Sequence, residues 1–88
     1  MEAKPVRDRV IELKKEMNET PGEHVRRMTD ELKMRKEDFR LLTRIPMDKV
    51  ECILSDTPTK FTTPEASRLH YFTDMDFDVW IYHEDIVS

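Results

Sequence analysis

The stretch TRIPMDKVECIL, residues 43–54, decides how this chain folds. Val50, Ile53 and Leu54 fall at i, i+3 and i+4, the spacing that gathers apolar side chains on one face of a helix, so that face is expected to pack inward. Just before it stands Ile45-Pro46. The residue preceding a proline is pushed out of the α region, while proline itself suits a helix start, so one helix ends and another begins across a tight turn. Segments 37–43 and 46–55 therefore read as a crossed helical pair that presents the second helix outward. Its outward face centres on Asp48 and Cys52, flanked by Lys49 and Glu51.

The 88 residues fit one domain with a modest core, too small for a deep enclosed active site beside it. Hydrophobic residues make up 38% and charged residues 39%, with a single glycine, which is the composition of a soluble helical protein with solvated faces. The lone Cys52 has no partner for an internal disulfide, and no apolar run is long enough for a signal peptide or a membrane span. A reducing cytoplasm is the expected setting. The net charge of −4 argues against a strongly basic nucleic-acid binder, yet its distribution matters more than its sum. Residues 73–88 carry five acids, Asp74, Asp76, Asp78, Glu84 and Asp85, and no lysine or arginine, so the rest of the chain is near neutral.

Outward from the central pair, Val6, Val10, Leu13 and Met17 form the apolar stripe of an amphipathic helix opened by Pro5, within an N-terminal unit of residues 1–19. The second unit, residues 20–88, opens on Thr20 as helix cap, with Pro21 in the first turn and Glu23 completing a capping box. Val25, Met28 and Leu32 are its expected buried stripe. Phe39 and Leu42 anchor the following helix. After the polar loop SDTPTKFTTPE, Thr62 or Thr63 caps a helix that turns Ala66, Leu69 and Phe72 inward. The final stretch, TDMDFDVWIYHEDIVS, alternates apolar residues as a strand does, but Phe77, Trp80 and Ile81 also suit a helix, and a short helix is favoured.

Three motifs carry a family likeness: TPGEHVR, EDFRLLTRIPMDKVECIL, and TTPEASRL followed by Trp80. Over roughly residues 20–83 the chain resembles the Xre-type helix-turn-helix proteins, and within them the HigA-type antitoxins. The resemblance implies an all-α, compact domain of five to six helices with a lambda-repressor-like helix-turn-helix. It also implies homodimerisation, binding of double-stranded operator DNA through residues 46–55, and a basic RNA-cleaving toxin as partner. Arg40 and Arg44 stand where the family has a small residue and the turn glycine, and Asp56 where a glycine commonly ends the reading helix. Arg44 thus implies either backbone strain or a different turn.

In that role Met47, Asp48, Lys49 and Cys52 would approach base edges, while Arg44, Thr59, Lys60 and Thr62 would hold phosphates. Lys49 could donate to guanine and Asp48 accept from cytosine N4, but no Arg, Asn or Gln lies on this face for bidentate contacts. The bland alternative is a solvated face on a packed helix. Phe77, Trp80, Ile81 and Tyr82, interleaved with the tail acids, offer a partner or dimer interface, although a tryptophan is more often a core anchor. Asp74, Asp76, Asp78 and Asp85 superficially match a calcium loop, which Val79 defeats at the position that needs glycine. His24, His70 and His83 lack metal-ligand spacing, and Cys52 has no adjacent base. No cofactor, metal or catalytic residue is expected, nor membrane binding, because no basic amphipathic face is present. The two readings left are a DNA-binding, antitoxin-like regulator and a protein-interaction module that kept the fold but lost DNA reading.

Overall fold

A computed structural model describes residues 6–88, so the expected Pro5 helix start lies outside the described residues. These residues are all-helical: α1 (Val6–Glu16), α2 (Pro21–Glu31), α3 (Lys36–Thr43), α4 (Met47–Leu54), α5 (Thr63–Thr73), α6 (Phe77–Ile81) and α7 (His83–Val87). Seven helices replace the expected five to six because Tyr82 divides the final stretch into two short pieces, which are helical and not a strand. Among the described residues no helix is long and apolar enough to cross a membrane.

Local chemistry sets most of the boundaries. Thr20 accepts from the Glu23 N–H at 3.1 Å while the Glu23 carboxylate accepts from the Thr20 N–H at 3.0 Å, so α2 begins on a full capping box. Thr62 and Glu65 repeat the device at α5, at 3.3 and 2.8 Å. α3 ends where Arg44 turns into the left-handed region, φ 56°, and Ile45-Pro46 then feeds α4. The backbone at Arg44 therefore keeps the conformation that glycine adopts without strain.

α4 packs on α2 and α3, and α5 packs on α6, α3 and α2, while α1 lies across α6 and α7. The core joins Leu13 of α1, Val25, Phe39, Ile45, Val50, Ile53, Leu69 and Trp80, each at most 2% exposed. The inward face of α4 is as expected for Val50 and Ile53, with Leu54 half-buried. Trp80 donates its indole N–H to the Thr73 hydroxyl at 3.3 Å and meets the Phe61 ring edge-on at 5.9 Å.

Four expected core residues lie outside. Val6 is 49% exposed, Leu32 62%, Leu42 46% and Phe72 36%. In two cases a neighbouring threonine takes the inward position: Thr43 and Thr73 are buried, and each, like the buried Thr29 of α2, returns its hydroxyl to the carbonyl four residues earlier, at 2.8, 2.6 and 2.9 Å. That back-bond satisfies the polar atom, so threonine fills an apolar position that a hydropathy pattern assigns to its neighbour. Leu32 also falls one residue past the end of α2.

Candidate nucleic-acid interface

The outward edge of α4 is set by what its inward edge buries. With Val50 and Ile53 fully covered, Asp48 and Glu51 are exposed, and Met47 and Cys52 are half-buried. Asp48 sits in the first turn, where a carboxylate is favoured by the helix dipole. Glu51 is met by Lys36 of α3 at 3.7 Å, a pair exposed on both sides. The C-terminal end of α4 is closed by Arg26 of α2, whose guanidinium donates to the Leu54 carbonyl.

Lys49 does not join that edge. Its ammonium lies 2.7 Å from the Glu65 carboxylate and 5.8 Å over the Phe61 ring. Burial pushes the Glu65 carboxyl up, but Lys49 and the Thr62 N–H outweigh it and hold the group below the ordinary carboxylate range. Lys49 thus compensates a buried charge, and swinging it toward a base would leave Glu65 unpaired.

The expected phosphate-holding residues divide. Lys60 is exposed in the segment between α4 and α5. Thr62 is exposed but serves as the cap of α5, and the Thr59 hydroxyl donates to the Thr57 carbonyl at 3.0 Å. Arg44 is exposed at the entrance to α4. Its carbonyl accepts from Arg68 of α5 at 3.3 Å, and the Thr43 carbonyl accepts from the same guanidinium. With Arg68 closing the end of α3, the Arg40 and Arg44 side chains line an open groove of about 440 Å³ together with Leu41, Ile45 and Pro46. The structure therefore brings Met47, Asp48 and Cys52 to one edge, leaves Arg44 and Lys60 exposed in the segments on either side of α4 in the chain, and withdraws Lys49. It adds Lys36, whose place at the first position of α3 was the one sequence signal for it.

The expected contact surface at the end of the chain is mostly interior. Trp80 is 0% exposed, so it is a core residue and not an interface residue: its ring packs against those of Phe61 and His83, which also meet each other. Phe77, Ile81 and Tyr82 are half-buried against the same core. Two of the tail acids are already engaged, because Arg9 of α1 reaches Asp78 at 2.8 Å and Asp76 at 2.9 Å and is held more strongly protonated by them. Asp74, Glu84 and Asp85 remain exposed. Among the described residues no group of three or more His, Cys, Asp or Glu side chains could hold a metal ion. Compared with known proteins, the chain matches no family model, no curated protein and no solved structure.

Proposed function

We propose that this chain is an antitoxin-like transcriptional regulator, similar to the HigA type, that binds double-stranded operator DNA as a homodimer through a helix-turn-helix formed by α3 and α4. The observation that carries the reading is the exposed edge of α4, raised on the buried Val50 and Ile53, with Lys36 beside Glu51 and with the exposed Arg44 and Lys60 before and after the helix in the chain. Those cations would hold phosphates on either side of a major groove, which fixes register without reading sequence. Base contact would fall to Asp48, accepting from a cytosine amine, and to the Met47 side chain against a thymine methyl. Occupying the groove blocks transcription sterically. A basic RNA-cleaving toxin would dock elsewhere, against the exposed Asp74, Glu84 and Asp85.

Three phosphate-binding cations per subunit give a dimer a salt slope of about −5 in log affinity against log salt, since each neutralised phosphate contributes about −0.9. Fluorescence anisotropy with the DNA upstream of its gene, repeated across a salt series, measures that slope. Absence of any complex at low salt removes the DNA role. The withdrawal of Lys49 and the outward carboxylates of Asp48 and Glu51 favour the second reading, a protein-interaction module on the same fold. In that case DNA fails to bind at every salt concentration, while capture of the toxin persists.

A further inference from the structure

Arg40 and Arg44 lie one helical turn apart at the end of α3, where the Arg44 N–H donates to the Arg40 carbonyl at 2.8 Å. Both residues are exposed, and both line the open groove of about 440 Å³ whose other walls are Leu41, Ile45 and Pro46. No acid lines it. At Arg44 the backbone is left-handed, φ 56°, a conformation that glycine holds without strain, so what the arginine adds at that position is its side chain.

Most other arginines are engaged. Arg9, Arg27 and Arg35 each meet a carboxylate, while Arg26 and Arg68 each donate to a backbone carbonyl. Among the described residues the guanidiniums of Arg40 and Arg44 meet neither. The carbonyls that end α3 could have occupied them, but those of Thr43 and Arg44 already accept from Arg68. Two like charges a turn apart repel, and an anion in the groove between them relieves the repulsion. One guanidinium fork satisfies a carboxylate by itself. Two forks bordering one groove offer more N–H groups than two oxygens accept, which suits the larger oxygen set of a phosphate.

We propose that Arg40 and Arg44 form a seat for one phosphate group, gripped by both guanidiniums, with Leu41 and Pro46 against the carbon skeleton that carries it. It rests on the reading above only for the source of that phosphate, which is the DNA backbone if that reading holds and the end group of a small ester if it does not. Arg40 is thereby a second holder of the phosphate assigned to Arg44, and no further phosphate is added.

Arginine side-chain NMR of the full chain supplies the first test, with inorganic phosphate replacing chloride at constant ionic strength. The Nε–Hε signals of Arg40 and Arg44 should shift together and saturate, and that of Arg7, exposed on α1, should not. Acetate should bind the same two arginines less tightly. Arg40→Gln, shown to be folded by circular dichroism, should weaken phosphate binding at Arg44 about tenfold. Equal shifts at Arg7, acetate as tight as phosphate, or a seat indifferent to Arg40→Gln overturns the proposal. Anisotropy with the DNA upstream of its gene then compares Arg40→Gln, Arg44→Gln and the double variant. A shared DNA phosphate makes the double loss of affinity smaller than the product of the single losses, whereas losses that multiply mean separate phosphates and overturn the shared seat. A seat that saturates while no DNA binds stands and removes the DNA reading alone. A saturating seat with DNA binding indifferent to Arg40→Gln stands as the site of a small ester. DNA bound by a chain with no saturable seat overturns the seat alone.

Discussion

Lys49 shows how far a single residue can be read without its neighbours. On a helical projection it flanks the outward face of α4, and a lysine there is a natural donor to guanine or phosphate. What removes it is Glu65, sixteen positions away and 8% exposed, whose carboxylate needs a cation at 2.7 Å. The pairing follows from the tertiary placement of the first turn of α5 against Lys49, which no local pattern encodes. The same geometry yields a prediction. Lys49→Met strands Glu65 and is expected to cost about 1–3 kcal/mol, while Lys49→Met combined with Glu65→Leu removes both charges and should recover most of that loss. Urea denaturation of the four proteins in the cycle measures the coupling. If Lys49→Met leaves stability unchanged, the ammonium is free and belongs with the DNA-facing set after all.

Helix boundaries were legible because their determinants are local. Thr20 with Glu23, Thr62 with Glu65, and Ile45 before Pro46 each act over three residues or fewer, and the structure places a boundary at each. Helix faces were legible only in part. The back-bonded threonines displaced Leu42 and Phe72 outward, since hydropathy does not register a hydroxyl that satisfies itself. The junction of α2 with α4 was not legible at all. Asp56, itself left-handed at φ 54°, accepts from the Gly22 N–H at 2.9 Å and from the Thr20 hydroxyl at 2.7 Å, so the residue past the end of α4 caps the start of α2. The approach is so close that a Cβ on Gly22 would lie 2.5 Å from the Ile53 carbonyl oxygen. Gly22→Ala must therefore separate the two helices, and a destabilisation of about 2 kcal/mol or more is expected despite the better helix propensity of alanine. A thermal melt distinguishes the two effects: a rise in melting temperature would mean that the junction yields without cost.

At the scale of the whole molecule, the elements meet around His83. Its ring is fully buried, stacked on Trp80 at 5.8 Å and edge-on to Phe61 at 5.2 Å, and among the described residues neither ring nitrogen has a hydrogen-bond partner. It ties α7 to α6 and to the segment between α4 and α5, so its protonation state concerns the entire core. Burial lowers its pKa, and the nearby Thr59 backbone and the Asp56 charge offset this only in part. The unfolded chain therefore binds a proton that the folded chain refuses. Stability contributed by the neutral ring is fully present above the ordinary histidine value of about 6.5 and is lost as pH falls below it toward the depressed folded value. His83→Phe keeps an aromatic ring against Trp80 and Phe61 and removes the titration. Denaturation curves between about pH 5 and 8 should show the wild type losing stability on the acid side of that range, with the variant flatter there and more stable at its lower end. Parallel profiles for the two proteins would mean that His83 does not set the acid limit, leaving at lower pH the carboxylates of Glu19 and Glu65. Those groups are held below their ordinary range, so their contribution fails only at lower pH, as protonation reaches carboxylates near about 4.3 and below.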